Sequence, residues 1–168
     1  GPGVNGLWTC QHRRREKTFV KDSGIPCVPF GHASSLEELT AVAQEVGLPV
    51  VVKTAAFGYD GKGQVMVDEE SELAAAWAKL DNPEGVVVEK KVTFEREVSL
   101  VFARRPAGET VFYPVVENDH EHHILHTTRL PAPRHEEVQA EAERIAMQIA
   151  DAFQLEGLLT VEFFQMQG

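Results

Sequence analysis

Leu48-Pro-Val-Val-Val-Lys-Thr-Ala-Ala-Phe-Gly-Tyr-Asp-Gly-Lys-Gly-Gln-Val-Met-Val-Asp68 is the stretch on which the reading of this chain turns. A short apolar run, Val50-Val51-Val52, ends in Lys53. A loop with three glycines follows, Gly58-Tyr59-Asp60-Gly61-Lys62-Gly63, and then a second apolar run, Gln64 to Val67. The pattern predicts strand, glycine loop, strand. Glycine lets backbone N–H groups approach an anion closely, and successive N–H groups form a concave cradle for phosphate. Lys53 and Lys62 would add cations. The same residues also read as an ordinary hairpin turned at Asp60-Gly61. They are not a Walker A loop, because no Ser or Thr follows the lysine and a strand stands where that motif needs a helix.

Composition narrows what such a loop can serve. The chain has 168 residues, 43% hydrophobic and 25% charged, with a net charge of −10. That is enough for one domain or two small lobes. So acidic a chain argues against a general nucleic-acid or anionic-membrane surface. A bound polyanion would need local lysines, arginines or a metal. No apolar run is long enough for a transmembrane helix. Residues 1–6 lack the charged start and apolar core of a signal peptide and read as a loose arm or a remnant of cloning. Cys10 and Cys27 are too few and too far apart for a Cys-x-x-Cys motif. The expectation is reduced thiols in a cytoplasmic protein.

Upstream of the loop, Leu7 to Asp22 predicts a helix ended by Ser23-Gly24. It carries Arg13, Arg14, Arg15, Lys17 and Lys21, which charge alone reads as a solvated face. Ile25 to Phe30 predicts a short strand confined to an edge by Pro26 and Pro29. Ser34 and Glu37 look like a capping pair for a helix that ends at Gly47. Downstream, a helix is expected from Ser71 to Leu80 and a buried strand at Val86 to Glu89. Phe94 to Ala103 and Thr110 to Val116 predict a hairpin, Glu117 to His123 a polar loop and Ile124 to Arg129 a strand. Arg134 to Gln154 reads as the longest helix and Leu158 to Phe164 as the last strand. The fold class expected is α+β: two α+β lobes with mainly antiparallel sheets. The divisions are an arm at 1–6, leading helices at 7–47, a small lobe with the glycine loop at 48–93 and a larger lobe at 94–168.

That order resembles an ATP-grasp unit, and particular residues carry the resemblance further. Gln11 to Lys17, Val51-Val52-Lys53, Gly58 to Gln64, Val88-Glu89, Glu97 to Leu100 and Val111-Phe112-Tyr113-Pro114 are similar to 5-(carboxyamino)imidazole ribonucleotide synthases. These are ATP-dependent ligases of purine synthesis. The likeness covers roughly residues 7 to 164. Biotin carboxylase and the formate-dependent glycinamide ribonucleotide transformylase match less well.

The resemblance implies an ATP-grasp fold, ATP and Mg²⁺. It also implies carboxylation of 5-aminoimidazole ribonucleotide with bicarbonate activated by ATP. It places Lys53 at the phosphates and closes Gly58, Tyr59, Asp60, Gly61, Lys62 and Gly63 over them, with Lys62 as the catalytic cation. Arg13 would contact nucleotide. Glu89, Lys90, Lys91 and Val92 would form the hinge that reads adenine. Glu97 would accept from the ribose hydroxyls, His120 would touch nucleotide, and Glu162 would bind Mg²⁺, which typically takes one or two carboxylates. His120, His122, His123 and His126 also suggest a metal site, but no remote ligand set completes a tetrahedron. After Glu162 the family carries a second metal glutamate, and before the unit an α/β domain; neither is in this sequence. The expectation is therefore an incomplete cleft. The uncovered last strand predicts a homodimer or other homo-oligomer. An inactive nucleotide-binding or self-associating fragment is the alternative.

Overall fold

Val50, Val52 and Thr54 alternate inward with Val51 and Lys53, so the opening stretch forms a half-buried strand, β2 (Val50–Thr54). It pairs antiparallel with β3 (Gln64–Val67), Val50 facing Val67 and Lys53 facing Gln64. The Thr54 N–H donates to the Gly63 carbonyl at 2.9 Å, carrying the ladder into the loop. The computed structural model describes residues 3–56, 63–80, 83–121 and 124–167. Gly58, Tyr59, Asp60, Gly61, Lys62, His122 and His123 lie outside them.

The chain divides into two units: Trp8–Val92, and the leading residues through Leu7 with Thr93 onward. In the first, a four-stranded antiparallel sheet has the order β1 (Phe30–Ala33), β4 (Val86–Lys90), β2, β3. Helices α3 (Leu36–Val46) and α4 (Leu73–Lys79) supply Leu39, Ala43, Leu73 and Ala76 to its core, against Val50, Val52, Val67, Val86 and Val88. A single 3-10 turn, Glu70–Glu72, leads into α4.

The second unit is a five-stranded antiparallel sheet built on β5 (Arg96–Arg104). Strand β9 (Gly157–Gln165) pairs with the whole of β5, from Arg96 opposite Gln165 to Arg104 opposite Gly157. The other edge of β5 is shared by β6 (Thr110–Phe112) and β7 (Val116–Glu121), and β8 (Ile124–Arg129) pairs with β7. Helix α5 (Glu136–Ala152) presents Ala142, Ala146 and Ala150 to Val98, Leu100 and Phe102. The expected α+β class with antiparallel sheets is met in both units. No helix among the described residues is long and apolar enough to cross a membrane.

Several boundaries differ from the sequence reading. The leading helix is two: α1 (Val4–Cys10), which begins inside the expected arm, and α2 (Arg13–Asp22). The break arises because the Arg13 N–H donates to the Ala55 carbonyl at 2.9 Å and so leaves the helical ladder. Strand β1 starts at Phe30, after the two prolines that cannot donate. The cap of α3 sits one residue later: Ser35 accepts from the Glu38 N–H, and the Glu38 carboxylate accepts from the Ser34 N–H. The polar segment from Glu117 is a strand. Its backbone is claimed by β5 and β8 on either side, which overrides a loop-like composition.

Candidate functional site

In the first unit the outward side chains of β2 and β4 meet helix α2. Lys53 on β2 stands opposite Val87, and Glu89 stands opposite Val51, so the two are diagonal neighbours on one face. The Glu89 Oε2 lies 3.0 Å from Lys53 Nζ and 3.2 Å from Lys17 Nζ. The Glu89 side chain is only 5% exposed, and the two lysines keep about a fifth of theirs in water. Burial alone would push the Glu89 carboxyl up, but the two ammonium groups outweigh it and hold the group below the usual glutamate range. One helical turn before Lys17, the Arg13 Nη1 donates to the Thr54 carbonyl at 2.8 Å. Two lysines therefore share one buried carboxylate where β2 runs into the glycine loop, with Arg13 one helical turn away on the Thr54 carbonyl.

Lys90, Lys91 and Val92, the rest of the segment expected to read adenine, are engaged within the same unit. Lys90 Nζ donates to the carbonyls of Gly47 and Leu48, closing the end of α3. Lys91 Nζ pairs with Asp68 at 3.0 Å. The backbone N–H groups of Lys90 and Lys91 donate to Pro29 and Pro49. Val92 ends the unit.

In the second unit the face of β5 opposite the core carries Glu97 and Ser99. Across β9, Phe164 faces Glu97 and Glu162 faces Ser99. Across β7, Asn118 faces Glu97. The His120 Nδ1 lies 2.8 Å from Glu97 Oε2, both side chains being roughly a third exposed. The Asn118 amide donates to Ser99 Oγ, and Thr128 Oγ1 donates to the Asn118 carbonyl oxygen at 3.0 Å. Glu162 is exposed on this face. Phe94 stacks on Phe164 with ring centroids 4.5 Å apart. A cleft of about 460 Å³ opens beside the row, lined by Phe94, Arg96, Glu97, Asn118, His120 and Arg134 among others. Arg96, nearly buried, ties that wall together by donating to Gln165, Glu117 and the Pro133 carbonyl.

The structure thus groups Arg13, Lys53 and Glu89 in one unit, and Glu97, His120 and Glu162 on one sheet face of the other. Gly63 holds the start of β3, while the loop residues from Gly58 to Lys62, the Lys62 position included, lie outside the described residues. Among the histidines, His120 serves Glu97, and His126 lies 3.7 Å from Glu121. Among the described residues no group of three His, Cys, Asp or Glu is placed to hold a metal by itself. Lys17, Ser99 and Asn118 were missed by the sequence reading. The i, i+4 spacing of Arg13 and Lys17 was the available signal for the first. Ser99 carried one in its alternation with Glu97. Nothing in the sequence marked Asn118 while its segment read as a loop.

A protein-family model for the ATP-grasp domain matches residues 18–168, and the chain belongs to that family. Among curated proteins it is similar to the N5-carboxyaminoimidazole ribonucleotide synthase of Vibrio cholerae, 37% identical over 174 residues. The match covers 99% of this chain and 45% of that protein. The N5-carboxyaminoimidazole ribonucleotide synthetase of Thermus thermophilus superposes with a TM-score of 0.89 at 38% identity, over 98% of this chain and 44% of that one. The Staphylococcus aureus enzyme complexed with ADP gives a TM-score of 0.90 at 32% identity, over 97% and 43%. The resemblance drawn from the motifs is met by these relatives. The chain spans under half the length of the bacterial synthases it matches.

Proposed function

We propose that this chain is the ATP-handling core of a carbon–nitrogen ligase, an N5-carboxyaminoimidazole ribonucleotide synthase of purine synthesis. The observation that carries the reading is the grouping of Lys17 and Lys53 on Glu89, with Arg13 one turn away on the Thr54 carbonyl and Glu16 beside them. Three cations stand against two carboxylates, a small local excess of positive charge in a chain of net charge −10. Such an excess suits a polyphosphate. Lys53 would meet the phosphates, with Gly58, Tyr59, Asp60, Gly61, Lys62 and Gly63 as the lid and Lys62 at the transferred group. Arg13 and the Glu89, Lys90, Lys91, Val92 segment would serve the rest of the nucleotide. Glu97, already an acceptor for His120, suits ribose hydroxyls, because a carboxylate only accepts.

Glu162 fits Mg²⁺ in its chemistry: an exposed hard oxygen donor on a rigid strand, one carboxylate being within what this ion takes when phosphate supplies other oxygens. ATP would supply the phosphoryl group that activates bicarbonate for transfer to the amine of 5-aminoimidazole ribonucleotide. Neither Cys10 nor Cys27 forms a disulfide, which suits a reducing cytoplasm.

The test is calorimetry with Mg-ATP, followed by phosphate release from ATP with bicarbonate, with and without aminoimidazole ribonucleotide. Binding and ribonucleotide-stimulated release are expected. A chain that binds no ATP overturns the reading. A second reading, a nucleotide-binding module that self-associates, draws on the exposed Ile124, Leu125, Leu158 and Phe164 of β8 and β9. It expects ATP binding without turnover and a dimer by light scattering. A monomer at micromolar concentration counts against it.

A further inference from the structure

We propose that Lys17 is a positioning residue that governs, through the Glu89 carboxylate, how freely Lys53 can meet nucleotide phosphate. The inference rests on the nucleotide reading above and deepens it.

Both ammonium groups reach the same oxygen, Glu89 Oε2. Lys53 comes from β2 and Lys17 from α2. The helix is pinned at its start by the Arg13 N–H on the Ala55 carbonyl and the Arg13 guanidinium on the Thr54 carbonyl, so the root of Lys17 is fixed relative to the strand. A buried carboxylate must keep a cationic partner. With two lysines on one oxygen, Glu89 keeps a partner when Lys53 leaves for a phosphate. With Lys17 gone, Lys53 becomes the sole counter-ion of a side chain that is 5% exposed. Every phosphate contact would then have to break that pair first. Lys17 therefore acts as the standing partner, and Lys53 as the mobile one. The carboxyl's position below the usual range, to which both lysines contribute, agrees with this sharing.

The experiment is a double-mutant cycle on the full chain, read by calorimetry with Mg-ATP and with adenosine, and accompanied by thermal melts. Lys17→Met is expected to weaken ATP by about tenfold, the low end for a close charge pair, while leaving adenosine unchanged. Lys17→Arg should restore ATP binding. In a Glu89→Gln background, where the Glu89 charge no longer holds Lys53 and only the more distant Glu16 carboxylate remains, Lys17→Met should leave ATP affinity unaltered. Lys17→Gln repeats the cycle should the methionine variant fail to fold. An equal loss of ATP affinity in both backgrounds overturns the proposal, since it would mean that Lys17 touches phosphate itself. A lowered melting temperature with unchanged ATP affinity also overturns it, since Lys17 would then be structural. A carbon-detected NMR titration needs no nucleotide. The Glu89 carboxyl should titrate at higher pH in Lys17→Met than in the parent, and an unmoved titration refutes the sharing. A parent chain that binds no ATP instead overturns the nucleotide reading, and the NMR result separates the two failures.

Discussion

Glu89 and Glu162 both stand on strands of antiparallel sheets, yet Glu89 is buried between two lysines and Glu162 is exposed. The strands explain the difference. β4 runs between β1 and β2, and Val86, Val87 and Val88 are all at most 1% exposed, so both faces of that strand are covered. A charge there needs internal partners. β9 alternates, with Leu159, Val161 and Phe163 toward the core and Thr160, Glu162 and Phe164 outward. A charge there keeps its water. Internal pairing in one unit and open display in the other are two ways in which a strand accommodates a charge.

The largest effect should come from taking the pairing apart. Glu89→Ala leaves two lysines without their carboxylate and is expected to cost about 3 kcal/mol, whereas Glu162→Ala should stay within about 0.5 kcal/mol. Urea unfolding measures both, and equal costs would remove the contrast between the strands. The pH dependence has a definite sign. A carboxyl held low in the folded state takes up its proton more readily when unfolded. The stability from Glu89 should therefore be complete above about pH 4.3, the ordinary glutamate value, and fade as pH falls below it. Glu89→Gln should flatten that part of the acid profile. Next in size, Lys53→Ala should weaken Mg-ATP by about thirtyfold, the worth of one charge-assisted contact. Calorimetry with the parent alongside is the check, and an unchanged affinity would detach Lys53 from phosphate.

How much of this was legible beforehand follows the same division. Val50–Lys53 and Gln64–Val67 were readable because alternation and a glycine loop are local signals. The long helix and the last strand were equally plain, since their apolar spacing is carried within one segment. The break between α1 and α2 was not, because it depends on Ala55 offering its carbonyl to Arg13 from more than forty residues away. Lys17 was visible as charge, but the partner that gives it a role is on β4. Strand β7 was unreadable for a different reason: Glu117, Asn118, Asp119 and His120 are poor strand formers, and only the ladders on both sides hold them extended.

Two glycines carry the comparison into the turns. Gly85 and Gly108 both have φ near +80°, which other residues adopt only with strain. A Cβ at Gly85 would stand 2.6 Å from the Ala33 carbonyl oxygen, a backbone atom that the β1–β4 ladder fixes. At Gly108 it would meet only the tip of Arg104, 3.9 Å away. Gly85→Ala should therefore cost about 2 kcal/mol and Gly108→Ala about 1 kcal/mol. Thermal melts resolve the order, and a Gly108 variant that is the worse of the two would contradict the packing at β1.

The smallest effect tests whether the open face is organised or merely exposed. Asn118 bridges Ser99 and Thr128, so three strands share one line of side-chain hydrogen bonds beneath Glu97 and Glu162. Ser99 is 4% exposed and Thr128 is exposed, so the Ser99 hydroxyl loses more when the amide is removed. Asn118→Ala is expected to cost about 1 kcal/mol, the worth of an ordinary hydrogen bond with one partner left buried. Thr128→Val should cost less, because water can replace the hydroxyl's contact from the outer side. Ser99 faces Glu162 and Asn118 faces Glu97, so loosening the line should also weaken Mg-ATP a few-fold, about 0.5–1 kcal/mol in the same units. An Asn118→Ala chain with parental stability and parental affinity would show that the face needs no such line, and that Glu97 and Glu162 are held by their strands alone.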